Sequence, residues 1–161
     1  MARLLVVGGG CRALDLASAL RAEGHAIRVA TRSDERRPAI EAIDGECVIA
    51  DPDRIGTLRY ALDNVTLLLW LLGTATGPNV ADLHASRLAM MLERTIDTTA
   101  RGIVYEAAGT VDPEILAGGR ALVERHAAYN EIPLRVLEAD PADRPAWLRD
   151  ARAAVASLLI S

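Results

Sequence analysis

The segment RLLVVGGGCRALDLASALRAEGHAIRVATRS, residues 3–33, decides how the chain folds. It opens with a short, continuously apolar run, which is typical of a buried parallel strand. Three consecutive glycines follow, and residues 11–23 then carry alanines and leucines at helical spacing that closes at Gly24. A second apolar run covers residues 26–32. The segment therefore predicts a strand, a glycine turn, a helix and a second strand parallel to the first.

The remainder of the chain repeats this alternation of element types. Strands are predicted over residues 3–7, 26–32, 46–50, 65–72, 102–107 and 134–139. Helices are predicted over residues 11–23, 33–43, 51–64, 80–97, 113–130 and 141–159. Ser33 or Asp34 is the expected N-cap of the second helix, and Asp51-Pro52 opens the third. This order favours an α/β, doubly wound parallel six-stranded sheet in three layers, a Rossmann-like fold, in one domain of residues 1–161.

Composition limits both the core and the chemistry. Apolar residues form 51% of the chain but aromatic residues only 3%, with no Phe, so the core must consist mainly of aliphatic side chains. All 18 basic residues are Arg. The absence of Lys excludes mechanisms that need one, such as a Schiff base or a Tyr-Lys proton relay. The net charge of −4 argues against a nucleic-acid-binding surface.

The apolar runs and the cysteines point to a cytoplasmic protein. The first apolar run is followed too soon by glycines for a signal peptide. The longest later run, residues 65–75, is shorter than the roughly 20 residues that span a membrane. Cys11 and Cys47 have neither the spacing of a disulfide framework nor that of metal ligands, and the histidines are scattered. We therefore expect neither a membrane segment nor a metal site.

The glycines supply a turn suited to phosphate. Gly8-x-Gly10-x-x-Ala13 follows a strand and opens a helix, which is the context that dinucleotide binding requires. Gly8 allows the tight turn, Gly10 lets the backbone approach a pyrophosphate, and Ala13 lets the helix pack on the strand. The helix N-terminus then offers free N–H groups. Cys11 and Arg12 lie in the same turn, and Arg12 either contacts a phosphate or points into solvent. The alternative is a glycine turn in a domain that binds no nucleotide.

The second strand ends in Thr31-Arg32-Ser33, where NAD sites usually place Asp or Glu on the ribose 2′-hydroxyl. A guanidinium instead binds a 2′-phosphate through charge-assisted bonds. Arg32, with Ser33 beside it and Arg36 and Arg37 one helical turn on, therefore predicts NADP rather than NAD. The alternative is a solvated, charged start of the next helix. S-adenosylmethionine is disfavoured because its ribose usually needs a carboxylate at this place.

With these motifs the chain resembles the atypical short-chain dehydrogenase/reductase group, the NAD(P)-binding relatives of sugar epimerases and of nitrogen-regulator-like redox sensors. VVGGG through GHAIRVATRS is similar to the group's first βαβ unit. ECVIADPDRIGTLRYALDNVTLLLWLLGTA is similar to its third strand, helix and fourth strand, and GIVYEAAG to its fifth strand. The resemblance implies that Asp51 lies near the adenine. It also implies that Leu72, Gly73 and Thr74 lie beside the ribose and nicotinamide.

The sequence departs from this group at the residues that catalyse. The group's glycine motif is usually GxxGxxG, whereas Cys11 and Leu14 occupy the later positions here. Two alanines, residues 107–108, stand where catalytic members carry Ser after the fifth strand. Leu116 and Arg120 take the places of the Tyr-x-x-x-Lys pair, so the proton relay is missing. Members also usually continue beyond the sixth strand to build a substrate pocket, so we expect a truncated relative without one.

Few residues remain as catalytic candidates. Tyr105 and Glu106 lie at the carboxyl end of a strand, where open α/β sheets bind ligands, and could serve as general acid and base. A buried tyrosine in a strand is, however, more often a packing residue. His126 and Tyr129 lie three residues apart on one helical face, where an interface or capping role competes with catalysis.

The helix predicted over residues 80–97 carries apolar residues nearly all round, so it must be covered on more than one side. The resemblance implies that this helix and the helix over residues 113–130 form a homodimer interface. Burial within the monomer is the alternative.

A phosphate-binding turn without a catalytic relay favours an NAD(P)-binding module that prefers NADP and holds or senses the nucleotide. The alternative is an NADP-dependent reductase or epimerase-like enzyme with a non-standard proton donor, because hydride transfer itself belongs to the cofactor. Tight binding without turnover favours the module, whereas oxidation of NADPH by a carbonyl compound favours the enzyme.

Overall fold

The computed structural model describes residues 1–51 and 54–160. The strands are β1 (Arg3–Gly8), β2 (Ala26–Thr31), β3 (Glu46–Ile49), β4 (Leu67–Leu71), β5 (Ile103–Glu106) and β6 (Leu134–Leu137). The helices are α1 (Gly10–Ala22), α2 (Arg37–Ala42), α3 (Ile55–Ala61), α4 (Val80–Leu83), α5 (Ser86–Ile96), α6 (Pro113–Asn130) and α7 (Arg144–Ile160). A 3-10 turn over Asp34–Arg36 precedes α2. Each predicted strand is confirmed, with small differences at the ends.

The strands form one parallel sheet in the order β3-β2-β1-β4-β5-β6. β1 lies at its centre, where Val7 is paired with Ala30 of β2 on one side and with Trp70 of β4 on the other. The chain winds outward from β1 to β3, crosses back, and winds the other way from β4 to β6. The strand order therefore reverses between β1 and β4, where doubly wound sheets open a crevice at the carboxyl ends of the strands. The predicted Rossmann-like α/β fold is confirmed.

Helices cover both faces of the sheet, and β4 shows why the sequence requires this. All its residues are buried, and successive side chains point to opposite faces. Leu67, Leu69 and Leu71 join the core beneath α1 and α7. Leu68 and Trp70 join the core beneath α3, α5 and α6. A leucine buried in this way contributes roughly 1.5–3 kcal/mol, so neither face of the strand can be left in water.

The prediction of a single helix over residues 80–97 is wrong in one respect. The chain forms two helices there, α4 and α5, which separate at His84. The Trp70 indole donates a hydrogen bond of 3.1 Å to the Leu83 carbonyl, which removes that acceptor from a continuing helix. The buried His84 ring turns inward, towards the Leu72 carbonyl. Side-chain hydrogen bonds therefore end the first helix about one turn after it begins.

Within the chain, α5 is covered on one side only. Its buried residues form a single stripe: Leu88, Met91, Leu92 and Thr95. Met90 and Ile96 are 40% and 48% exposed. Burial within the monomer, one of the two alternatives for this helix, therefore accounts for the buried stripe and leaves Met90 and Ile96 partly exposed to solvent.

The second and third predicted helices begin later than expected. The Ser33 hydroxyl accepts a hydrogen bond of 3.4 Å from the Glu35 N–H, which confirms the N-cap, but the turn that follows is 3-10 before it becomes α2. Asp51 precedes α3 without belonging to it. Pro52, predicted to open that helix, lies outside the described residues. Ser33 and Asp51 consequently lie in the connections that follow β2 and β3.

Candidate functional site

A cleft of about 390 Å³ lies at the carboxyl ends of β1, β2 and β4, where the strand order reverses. Of the predicted site residues, those on its wall are Gly8, Gly10, Arg32, Leu72 and Thr74. Doubly wound sheets bind ligands at this place because the loops on the two sides of the reversal diverge from each other. The fold therefore brings together the glycine turn, the end of β2 and the segment after β4.

The glycine turn needs glycine at each position, for two different reasons. Gly8, Gly9 and Gly10 all have left-handed backbones, with φ of 81°, 91° and 56°. A Cβ on Gly8 would lie 2.6 Å from the Leu71 carbonyl oxygen, and one on Gly9 would lie 2.5 Å from the Ala13 Cβ. A Cβ on Gly10 would meet none of the described atoms within 4 Å. The first two glycines are therefore required by packing, whereas Gly10 leaves the backbone open.

The N-terminus of α1 is suited to an anion. The helix begins at Gly10 with no side-chain cap and no acidic residue in its first turn. Its first N–H groups and the positive end of its dipole consequently favour a negatively charged ligand. Ala13 is buried where the helix meets the turn, and the free thiol of Cys11 is exposed.

Arg12 follows neither alternative predicted for it. Its side chain turns inward and is 8% exposed, and its guanidinium binds both oxygens of Glu106, with Nε–Oε2 at 3.1 Å and Nη2–Oε1 at 2.5 Å. Nη1 donates to the Gly9 carbonyl at 3.0 Å and to the Thr74 hydroxyl at 2.9 Å. The guanidinium also lies 5.4 Å from the centre of the Trp147 ring. A buried bidentate pair holds this arginine, so it is directed neither at a phosphate nor into solvent.

Glu106 is fully buried, and its two oxygens accept four hydrogen bonds. Besides the two from Arg12, the Gly73 N–H donates to Oε1 and the Trp147 indole donates to Oε2, both at 2.8 Å. A carboxylate that is paired with a cation and closed to solvent has no approach for a substrate proton. The prediction of Glu106 as a general base is corrected accordingly, because this side chain joins α1, α7 and the segment after β4 to the end of β5.

Tyr105 is also fully buried, and its hydroxyl lies 2.7 Å from His84 Nδ1. His84 Nε2 lies 2.9 Å from the Leu72 carbonyl, which can only accept, so the hydrogen-bond pattern assigns the ring proton to Nε2 and lets Tyr105 donate to Nδ1. Burial raises the pKa of Tyr105 above its ordinary value, and the Glu106 charge raises it further. Burial lowers the pKa of His84. Tyr105 is therefore a packing residue of a neutral pair beneath the cleft, and its role as general acid is corrected.

The end of β2 carries arginines whose partners differ. Arg32 forms an ion pair of 3.5 Å with Asp51. Arg36 lines the cleft and donates a hydrogen bond of 2.8 Å to the Gly10 carbonyl, which links this rim to the glycine turn. Arg37, at the start of α2, forms its shortest ion pair with Asp34 of the 3-10 turn. Arg32 and Arg36 therefore bring two guanidinium groups to one rim of the cleft.

The other predicted binding residues lie beside the cleft. The Ser33 hydroxyl caps the 3-10 turn, and Asp51 reaches the site through its ion pair with Arg32. The Gly73 N–H is directed to Glu106, and its carbonyl accepts a hydrogen bond of 3.0 Å from the Val111 N–H. These residues support the cleft in the described structure, and their contact with a ligand stays a prediction.

Sequence reasoning missed Trp147 and the pairing of Arg12 with Glu106. The pair joins residues 94 positions apart, so no local pattern reveals it. The only available signal is compositional, because Glu106 is a charged residue in a strand that is otherwise apolar. A charge at such a position requires a buried partner, which could have prompted a search for an arginine.

His126 and Tyr129 lie away from the cleft, beside a cavity of about 700 Å³ between α5 and α6. Tyr129 is 88% exposed, whereas His126 is half-buried, and this burial lowers its pKa. Their position on an outer helix face favours an interface role over catalysis. Within residues 1–51 and 54–160, no three metal-ligating side chains form a cluster. The described helices include none that is both long and apolar enough to cross a membrane.

No family model and no curated protein matches the chain, but solved structures match its fold. A short-chain dehydrogenase/reductase superfamily protein from Agrobacterium tumefaciens with bound NAD is 18% identical, with a TM-score of 0.68 over 84% of this chain and 48% of that one. UDP-glucuronic acid 4-epimerase from Bacillus cereus, in complex with UDP-glucuronic acid and NAD, is 12% identical, with a TM-score of 0.66 over 84% and 55%. Vestitone reductase from alfalfa is 12% identical, with a TM-score of 0.65 over 84% and 56%.

The chain therefore has the fold of the short-chain dehydrogenase/reductase proteins, and the resemblance predicted from its sequence is confirmed at the level of fold. It spans about half the length of the solved structures that it matches. At 12% to 18% identity the likeness concerns the fold alone.

Proposed function

We propose that this chain is a nucleotide-binding module that takes a dinucleotide and prefers NADP to NAD. The observation that carries the proposal is the cleft at the strand reversal, whose wall includes both the left-handed glycines and the two arginines Arg32 and Arg36. An uncapped helix N-terminus behind a glycine turn favours the pyrophosphate. Two cations on the opposite rim favour a further phosphate, which NADP carries on its adenosine ribose and NAD lacks.

Besides the exposed Asp34 and Glu35, Asp51 is a carboxylate of this rim that opposes a 2′-phosphate. It shares Arg32, so part of that charge is already neutralised. Arg36, in contrast, donates to a neutral carbonyl, and no described carboxylate lies within ion-pair distance of it. The Arg36 guanidinium therefore offers a positive charge to a phosphate in the cleft, which supports the preference for NADP.

We favour a binding or redox-sensing module over an enzyme because both catalytic candidates are engaged elsewhere, Tyr105 with His84 and Glu106 with Arg12. One observation favours the alternative of an NADP-dependent reductase or epimerase-like enzyme. A second cavity of about 450 Å³ lies beyond the ends of β5 and β6, and its wall includes Leu116 and Arg120, which take the places of the catalytic pair of the resembling group. Sustained oxidation of NADPH by a carbonyl compound would support that alternative.

We also propose that two copies pair through α5 and α6. The cavity between these helices is lined by Glu93 on α5 and Arg125 on α6 as well as by apolar side chains. A two-fold interface forms every contact twice, because residue i of one copy contacts residue j of the other and the reverse. Glu93 of each copy can therefore face Arg125 of the other copy. The free thiols of Cys11 and Cys47 are consistent with function in the reducing cytoplasm.

A thermal-shift panel with NADP, NADPH, NAD, NADH and S-adenosylmethionine tests the proposal. A ligand at about 100 times its dissociation constant adds about 2.7 kcal/mol to the free energy of unfolding. In a chain of this size that corresponds to a rise in Tm of about 5–10 °C. We expect this rise with NADP and NADPH and a smaller one with NAD and NADH. No rise with any dinucleotide would contradict the proposal.

A further inference from the structure

The cleft covers only half of the carboxyl edge of the sheet. A doubly wound fold consists of two mononucleotide-binding halves, and a dinucleotide lies across both. Here the lining residues come from the glycine turn, the ends of β1 to β4 and the segment that follows β4 as far as Leu83. Among the described residues, none from β5, β6, α6 or α7 contributes to its wall. The open part of the site therefore belongs to the first half of the fold and to β4.

A buried ion pair fills the position next to the cleft on the side of the second half. Arg12 leaves the glycine turn and reaches across to Glu106 at the end of β5. Thr74 and Trp147 complete the cluster, with exposures of 8% for Arg12, 0% for Glu106 and 1% for Trp147. We call these four residues the plug. A ligand that displaced Arg12 would leave an uncompensated carboxylate in the interior, which proteins strongly disfavour.

Two segments of backbone close the same boundary above the plug. The Gly73 carbonyl accepts a hydrogen bond of 3.0 Å from the Val111 N–H, and its N–H donates to Glu106 at 2.8 Å. The backbones approach so closely that a Cβ on Gly73 would collide with the Ala108 carbonyl, and one on Gly109 would collide with the Gly73 carbonyl. The loops after β4 and β5 are therefore in direct backbone contact and leave no passage between them.

The second cavity lies beyond this wall. Its lining residues include Ala108, Leu116 and Arg120, and within the described residues it shares none with the cleft. A molecule in the cleft and a molecule in the second cavity are consequently separated by the plug and by the contact of Gly73 with Gly109.

We propose that the cleft takes an adenine nucleotide that carries a 5′-diphosphate and a 2′-phosphate, and that the nicotinamide half of NADP stays outside the protein. This inference rests on the proposed function, because it names the part of the dinucleotide that the same site recognises. The chain then binds NADP as a phosphorylated adenosine and does not use it as a hydride carrier. Of the two module roles proposed above, this favours nucleotide binding over redox sensing, because NADP and NADPH differ only at the nicotinamide ring. A hydride at the nicotinamide ring would have no enclosed path to a substrate in the second cavity.

Calorimetric titration of the whole chain with NADP and with 2′-phospho-ADP-ribose, which lacks the nicotinamide, tests the inference. We expect the two dissociation constants to agree within about threefold, a small difference in free energy. Nicotinamide mononucleotide, the other half of the molecule, should not compete. Emission of NADPH should be unchanged on binding, because the nicotinamide ring stays in water.

Each alternative outcome has a distinct meaning. NADP binding more than about tenfold tighter than 2′-phospho-ADP-ribose, with enhanced NADPH emission, would overturn the inference and leave the proposed function standing. Binding of neither compound would overturn the proposed function and the inference with it. Equal binding of both, with unchanged NADPH emission, supports both.

Discussion

Glu106, at the end of β5, gathers three other segments of the chain around one carboxylate. Arg12 connects it to α1, Gly73 to the segment after β4, and Trp147 to α7. Because the cluster is closed to water, each charge depends on the other, and removal of one leaves the other buried without compensation. The glycine turn is thereby fixed to the second half of the sheet through a side chain that a reader of the sequence would assign to catalysis.

The substitution Glu106→Gln should lower the free energy of unfolding by about 3–5 kcal/mol, because it leaves the Arg12 charge buried without a partner. Urea denaturation at neutral pH measures the loss. Arg144→Gln is the control, since it breaks an exposed ion pair with Asp15 and should cost less than about 1 kcal/mol. Two equally small losses would show that the buried pair does not hold these segments together.

His84 should make stability depend on pH. Burial lowers its pKa, so below the ordinary value of about 6.5 the unfolded chain binds more protons than the folded one. The free energy of unfolding therefore has its full value above that pH. It falls as the pH decreases below it, by up to about 1.4 kcal/mol per pH unit for each such group. Burial also lowers the pKa of His126, so His126 contributes to the same dependence of stability on pH.

Denaturation series between about pH 7.5 and about pH 5.5 measure this slope. We expect His84→Gln to reduce it, whereas His126→Gln should keep the larger part because His126 is less buried. A slope in His84→Gln equal to that of the unchanged chain would contradict the assignment of a neutral, buried His84.

Arg32 should decide between the two dinucleotides. Arg32→Gln removes a charge-assisted contact to the 2′-phosphate, so NADP affinity should fall on the order of tenfold while NAD affinity stays the same. Arg37→Gln removes the same charge at the start of α2, but the ion pairs of Arg37 lie outside the cleft, so neither affinity should change. Calorimetry on both variants makes the comparison. Unchanged NADP affinity in Arg32→Gln would mean that this arginine never meets the 2′-phosphate.

At the scale of elements, the glycine turn can be tested as a ligand site rather than as a fold requirement. Gly10 and Gly24 both have left-handed backbones, with φ of 56° and 96°, and an added Cβ would meet none of the described atoms within 4 Å at either. Gly10→Ala and Gly24→Ala should therefore lose similar stability, about 1 kcal/mol. Only Gly10→Ala should lose NADP affinity, because its methyl group occupies the approach of the pyrophosphate. Equal affinity in the two variants would favour a turn that binds nothing.

The elements themselves could be predicted wherever their signal is local. The strands follow from continuous apolar runs, and the N-cap at Ser33 follows from its hydroxyl and the residues after it. The break between α4 and α5 could not be predicted, because residues 80–97 have unbroken helical spacing. At the break the Trp70 indole donates to the Leu83 carbonyl, and the His84 side chain is buried against the Leu72 carbonyl. When tertiary contacts end a helix, the sequence of the helix itself carries no signal of where it ends.

For the whole molecule, the alternation of element types was enough to predict the sheet and its reversal, and hence the place of the cleft. The parts of the site that depend on contacts across the sheet could not be predicted from the sequence. Arg12 sits within the motif that suggests phosphate binding, yet its partner lies 94 residues away. The motif therefore predicted the backbone of the turn correctly and left the direction of its side chain open.

The proposed pairing of two copies is also a property of the whole molecule. Ala89 lies on α5 beside both surface cavities that border α6. Ala89→Arg adds a charge to this face and should convert a dimer into a monomer in sedimentation equilibrium. Ala153→Arg, an exposed position on α7, should leave the assembly unchanged. A chain that is already monomeric before substitution would contradict the proposed interface.

The central claim is that the cleft recognises a 2′-phosphorylated dinucleotide, and the measurement that tests it most directly is calorimetric titration of the unmodified chain with NADP and, in parallel, with NAD. We expect NADP to bind at least about tenfold more tightly, a difference of about 1.4 kcal/mol that one charge-assisted contact can supply. Equal affinities, or no binding of either dinucleotide, would contradict it.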